Sequence, residues 1–228
     1  ADGNFAGVIQ NSGGTLSLEK IGAGTLTLSG NNTYGGTTTV SGGVLKLQGG
    51  AFSTAARSYV IQPGAVLNLD GNTGVASGTT GLSGGGVLRI TGGAFVNESP
   101  NSPAGSGRNI TMALGGGALI DVQAGASMTN GGWQNIDWSA NLASLNVDGT
   151  FDLWDGKVVH VDALTGGGTV TANPGSGGSQ NLTVGVNGGS GTFGGVIQNA
   201  NRTVSLTKAG GGTQVLAGAN TYSGATLV

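Results

Sequence analysis

The segment FAGVIQNSGGTLSLEKIGAGTLTLSGNNTYGGTTTV, Phe5 to Val40, returns without a gap as FGGVIQNANRTVSLTKAGGGTQVLAGANTYSGATLV, Phe193 to Val228, with 21 of 36 positions identical. Self-similarity over so long a period constrains the fold more than composition does. It marks a stacked array, in which each unit leans on its neighbour. The matched positions are apolar ones (Phe5 and Phe193, Val8 and Val196, Leu18 and Leu206, Leu28 and Leu216), glycines, and an Asn-Thr-Tyr at 32–34 and 220–222.

Between the copies run short stretches that alternate apolar with polar at period two, the pattern of half-buried strands. The alternation predicts strands at Val44 to Leu47, Tyr59 to Ile61, Val66 to Leu69, Val87 to Ile90, Ile110 to Leu114, Ala118 to Val122, Leu145 to Val147, Val158 to Val161, Thr169 to Thr171 and Leu182 to Val184. Strands of three to five residues bury too little to stand alone, and stacking them in register solves that problem. A sandwich of antiparallel hairpins is the rival reading, since it too tolerates Gly-rich turns; the long repeat favours a solenoid. Three glycine-free stretches, 51–63, 94–104 and 133–148, read as excursions from the regular coil. The first holds STAARS, a candidate helical turn capped by Ser53.

Composition agrees with a folded, almost wholly β chain. Fifty of 228 residues are Gly and only 8% are charged, yet β-branched residues are plentiful, unlike a disordered segment. Net charge is −2 with no basic cluster, so nucleic acid is not an expected partner. No apolar run reaches the length of a membrane-spanning helix, and no membrane insertion by this segment is expected. Cysteine is absent, which removes disulfides and thiolate metal sites.

The phrase GxGTLTLSGxNTYxGxTxV, preceded by FxGVIQ and LSLxKxGxGT and followed by SGGVLKL, resembles the autotransporter-associated β-strand repeat, also called the passenger-associated transport repeat. The segment 5–47 fits it nearly throughout; the second copy departs at Gln214, where the first has Leu26, and at Ala225. The resemblance implies a right-handed parallel β-helix in an exported or cell-surface bacterial protein, where such segments form the stalk of an autotransporter passenger. The expected organisation is a single β-helix segment over 1–228, with motif copy one at 5–47, connecting coils at 48–192 and a truncated copy two at 193–228. Because Val228 falls inside a motif, the chain reads as an excerpt of a longer array. Its expected partners are adjoining repeats or copies of itself stacked end to end, with the coil ending near Val228 meeting the coil starting near Phe5.

The search for chemistry yields little. His160 is the single histidine, on the same face of KVVHVD as Val158 and Asp162, and reads as an ordinary surface or corner residue. GLSGG at 81–85 matches a nucleophile elbow but no helix follows it. GSGTFG at 189–194 matches a dinucleotide fingerprint but leads into a strand. Asp148, Asp152, Asp155 and Asp162 form the one local acidic excess, at spacings that fit neither calcium loop. No catalytic residue, metal ligand or cofactor is assigned. Trp133, Trp138 and Trp154 lie within 22 residues. With Asp137, Asp152 and Asp155 beside them they form the candidate glycan-contacting set, against the plainer reading that the rings fill the coil. The function expected is a non-catalytic structural or adhesive β-helix segment. A carbohydrate-binding module, with extracellular polysaccharide as partner, is the alternative.

Overall fold

The computed structural model describes residues 1–48, 57–71, 79–96, 109–130, 136–154, 158–173 and 178–228. Among them there is no helix, and every strand pair is parallel. The chain is a β-solenoid of about eight turns, in which each turn lays one strand on each of two or three faces.

The first face is an eight-stranded sheet: Gly3–Phe5, Thr25–Leu28, Val44–Gln48, Val66–Asp70, Val87–Thr91, Leu119–Val122, Ser144–Val147 and Leu164–Thr165. Period-two alternation fixes its register, because a one-residue slip would turn every aliphatic side chain to solvent. One inward column reads Leu26, Leu45, Leu67, Leu88, Ile120, Leu145, Leu164, each directly above the last. A second reads Phe5, Leu28, Leu47, Leu69, Ile90, Val122, Val147. All but Phe5, Leu26 and Leu47 are essentially withdrawn from water.

One outward column of the same face is polar throughout: Thr27, Lys46, Asn68, Arg89, Asp121, Asn146, Thr165. These groups bond along the stack. Arg89 Nε donates to Asp121 Oδ2 at 2.9 Å, Asn146 Nδ2 to Asp121 Oδ1 at 3.1 Å, and Thr165 Oγ1 to Asn146 Oδ1 at 3.1 Å. One column over, Asp70 takes Lys46 Nζ at 2.7 Å and Thr91 Oγ1 at 2.9 Å. The Lys46 hydrogen bond holds the Asp70 carboxyl below its usual range, against the opposing effect of burial.

The face reached last in each turn starts at Leu18–Lys20 and continues through Thr38–Val40, Arg57–Ile61, Thr79–Gly84, Asn109–Leu114 and Ile136–Asp137. Below it stack Val159–Val161, Ser179–Val184, Thr203–Lys208 and Thr226–Leu227. Among the described residues an additional middle face is first seen at the fifth turn, as Ala94–Val96, Ser127–Thr129, Thr150–Asp152, Thr169–Thr171 and Val196–Ile197. Its inward column of Met128, Phe151, Val170 and Ile197 is fully buried.

Of the glycine-free stretches expected to leave the coil, residues 51–56, 97–104 and 133–135 lie outside the described residues, and parts of the remainder do not leave it. Arg57–Ile61, Ala94–Val96, Ile136–Asp137 and Ser144–Val147 all lie in the ladders. The candidate turn at Ser53 lies outside the described residues. GLSGG is not an elbow: it runs along the strand Thr79–Gly84, with Leu82 in the core.

Candidate functional site

In the tryptophan region, Trp133 and Asp155 lie outside the described residues, so four of the six candidate glycan contacts can be placed. Trp138 is 0% exposed. Its ring meets Phe151 edge-on at 6.0 Å and 85°, and its Nε1 donates to the buried Asn130 Oδ1 at 2.7 Å. A buried indole needs an acceptor for its one N–H, and Asn130 supplies it inside the coil. Trp138 therefore packs the interior and offers no face to a ligand. Asp137 sits at the next corner, accepting Ser139 N at 3.1 Å.

Asp152 and Trp154 do come together. The Asp152 Oδ1 accepts the backbone N–H groups of Trp154 at 2.9 Å and of Asn173, one turn on, at 2.8 Å. Trp154 has φ of +41°, among the described residues the single non-glycine in the left-handed region, and the carboxylate bond braces it there. Burial raises the Asp152 carboxyl above its usual range, while the two backbone donors pull the other way. This is a corner brace with a half-buried indole beside it. His160 does not pair with Asp162. Its carbonyl accepts Asn141 Nδ2 at 2.8 Å, and Asp162 Oδ1 accepts the amides of Asn187 at 2.9 Å and Gly189 at 2.7 Å. Among the described residues no group of three His, Asp or Glu side chains gathers as for a metal ion.

The duplicated segment is where named side chains act in concert. Asn32 Oδ1 accepts Ile9 N at 2.9 Å and its Nδ2 donates to Gly30 O at 2.9 Å; Asn220 repeats both bonds, to Ile197 N at 2.8 Å and Gly218 O at 2.9 Å. Tyr34 OH meets Thr38 Oγ1 at 2.6 Å, and Tyr222 OH meets Thr226 Oγ1 at 2.7 Å. Lys20 folds back to donate from Nζ to the carbonyls of Ile21, Gly22 and Gly42 at 2.9, 2.8 and 2.9 Å. Lys208 does the same to Ala209 and Gly210. The Phe-x-Gly opening has a steric reason: a Cβ on Gly7 would come within 2.6 Å of the Phe5 ring, and one on Gly195 within 2.6 Å of the Phe193 ring. Each motif residue thus ties one coil to itself or to the coil beside it.

Gln214, the departure from the first copy, has a function that sequence reasoning missed. The first-face sheet breaks after Leu164–Thr165, and Gly191–Phe193 pairs with Gln214–Leu216 as a separate two-stranded piece. The break would leave the amide and carbonyl of Leu164 unmatched in the core. Gln214 Oε1 accepts Leu164 N at 3.0 Å and its Nε2 donates to Leu164 O at 2.8 Å. A side-chain amide stands in for the missing strand's peptide group. It reaches past Gly191, where a Cβ would come within 2.5 Å of Leu164 O.

The passenger-associated-transport-repeat model matches residues 18–47 and 206–228, the two places where these braces recur. The chain carries two copies of the passenger-associated transport repeat. The adhesin BmaC autotransporter of Brucella suis biovar 1 (strain 1330) is similar to it, 30% identical over an alignment of 254 residues. That alignment takes in 96% of this passenger-repeat chain and 7% of the adhesin's own length. No solved structure matches.

Proposed function

We propose that this chain is a non-catalytic stalk segment of an exported bacterial surface protein, a rigid spacer that holds adhesive loops away from the cell. The observation that carries this reading is the motif geometry: its repeated polar side chains are engaged in bracing the coils, within a turn and between turns. The similarity to an autotransporter adhesin supports secretion or surface display and an adhesive context. Adjoining repeats are its natural neighbours along the stack. We infer a right-handed coil, the hand that parallel strand crossovers adopt almost without exception. The glycan alternative draws no support from these findings, since Trp138 is spent on the core.

The test is paired. Purified chain offered polysaccharides, esters and peptides should show no turnover, whereas beads coated with it should adhere to host-cell or matrix surfaces more than beads coated with an unrelated β-solenoid. Turnover that disappears in His160→Ala or Asp155→Asn would overturn the reading.

A further inference from the structure

The two motif copies present one surface in two states, covered and open. In the second copy the coil described at residues 163–173 and 178–184 lies against residues 193–208, with Val170 facing Ile197, Leu182 facing Leu206 and Gly166 facing Phe193. Backbone donors cross that junction at these five points among others: Gly194 N to Gly166 O at 2.9 Å, Val196 N to Gly168 O at 2.9 Å, Gln198 N to Val170 O at 3.0 Å, Arg202 N to Ala172 O and Thr203 N to Gly178 O at 3.2 Å each. Phe193 and Val204 are fully buried as a result.

Subtracting the 188-residue offset gives the same surface in the first copy. The corresponding donors are the amides of Ala6, Val8, Gln10, Gly14 and Thr15, and none of them meets a backbone acceptor among the described residues. Phe5 is 44% exposed and Val8 52%, and Leu16, the counterpart of Val204, is also open. A row of parallel-strand donors beside exposed apolar side chains is a template for another strand.

We propose that the face formed by residues 5–20 is a docking surface for a parallel β-coil of the pattern found at residues 163–173 and 178–184. That coil needs a glycine opposite Phe5, an aliphatic residue opposite Ile9 and another opposite Leu18, as Gly166, Val170 and Leu182 provide in the covered copy. Its carbonyls take the five amides in the register that the second copy displays. This partner is more specific than an arbitrary coil end: it is the coil type that precedes a motif. The argument stands on the equivalence of the two copies and is independent of adhesive function.

The offset makes the test direct. Residues 159–188 are fused ahead of Ala1 in the full chain, so that Gly188 leads into Ala1 as it leads into Gly189. Amide exchange is then followed residue by residue. Exchange of Ala6, Val8, Gln10, Gly14 and Thr15 should slow by about tenfold or more relative to the unextended chain. The same extension carrying Val170→Lys and Leu182→Lys in the added coil should leave those amides as fast as in the unextended chain. Unchanged exchange in the first extension, or equal slowing by both, would overturn the proposal. Slowing in the unextended chain that grows with its concentration would assign the face to a second copy and overturn it as well.

Discussion

Phe5 and Phe193 open the same phrase, yet one is 44% exposed and the other is sealed. Tyr34 is likewise buried and Tyr222 only partly so. The hydrogen bonds of the two copies nonetheless agree nearly bond for bond. The motif's braces are therefore intrinsic to the coil, while its burial is borrowed from whichever coil lies alongside. Sequence identity carries over the first property and not the second.

Four tests would break or sharpen that contrast. Phe193→Ala removes a fully buried ring and should lower unfolding free energy by about 3–5 kcal/mol. Phe5→Ala should cost about 1 kcal/mol or less, both read from urea midpoints at constant m. Equal losses would show that burial does not distinguish the copies. Next, Lys20→Met strips three carbonyls of a charged donor and should cost about 1.5–3 kcal/mol, more than Lys208→Met, which releases two.

Gln214→Leu restores the first copy's residue and should still destabilise, by about 1–3 kcal/mol, because both polar groups of Leu164 lose their partner. Faster exchange at the Leu164 amide would locate the loss, and a stabilised variant would refute the substitute-strand account. The smallest effect belongs to Tyr34→Phe, about 1 kcal/mol for the bond to Thr38, with Tyr222→Phe smaller still since water can replace its partner. Paired thermal melts resolve that difference.

What could be read in advance follows the same division. Strands such as Val44–Gln48, Val66–Asp70 and Val87–Thr91 each contain two or more alternations, and the sequence expectation places them within a residue. Ser127–Thr129 and Thr150–Asp152 have one inward residue apiece, Met128 and Phe151. A single apolar residue has no period, so those strands show only once the neighbouring turns supply the register. Trp138 could be read as surface or core, and what decided it was the acceptor on Asn130, eight residues away. Gln214 looked like erosion of a pattern. Its reason lies 50 positions upstream, at a break in pairing that no local signal announces.

The exact 188-residue spacing carries a consequence at the level of the gene. Residues 5 and 193 occupy the same place in a turn, so DNA encoding the two copies can recombine without shifting the reading of the coil. One such exchange adds or deletes a whole number of turns and returns the motif to the same place in the coil. At about 4.8 Å per turn, eight turns change the molecule's reach by roughly 38 Å. Length then becomes a quantity that a lineage can adjust in fixed steps.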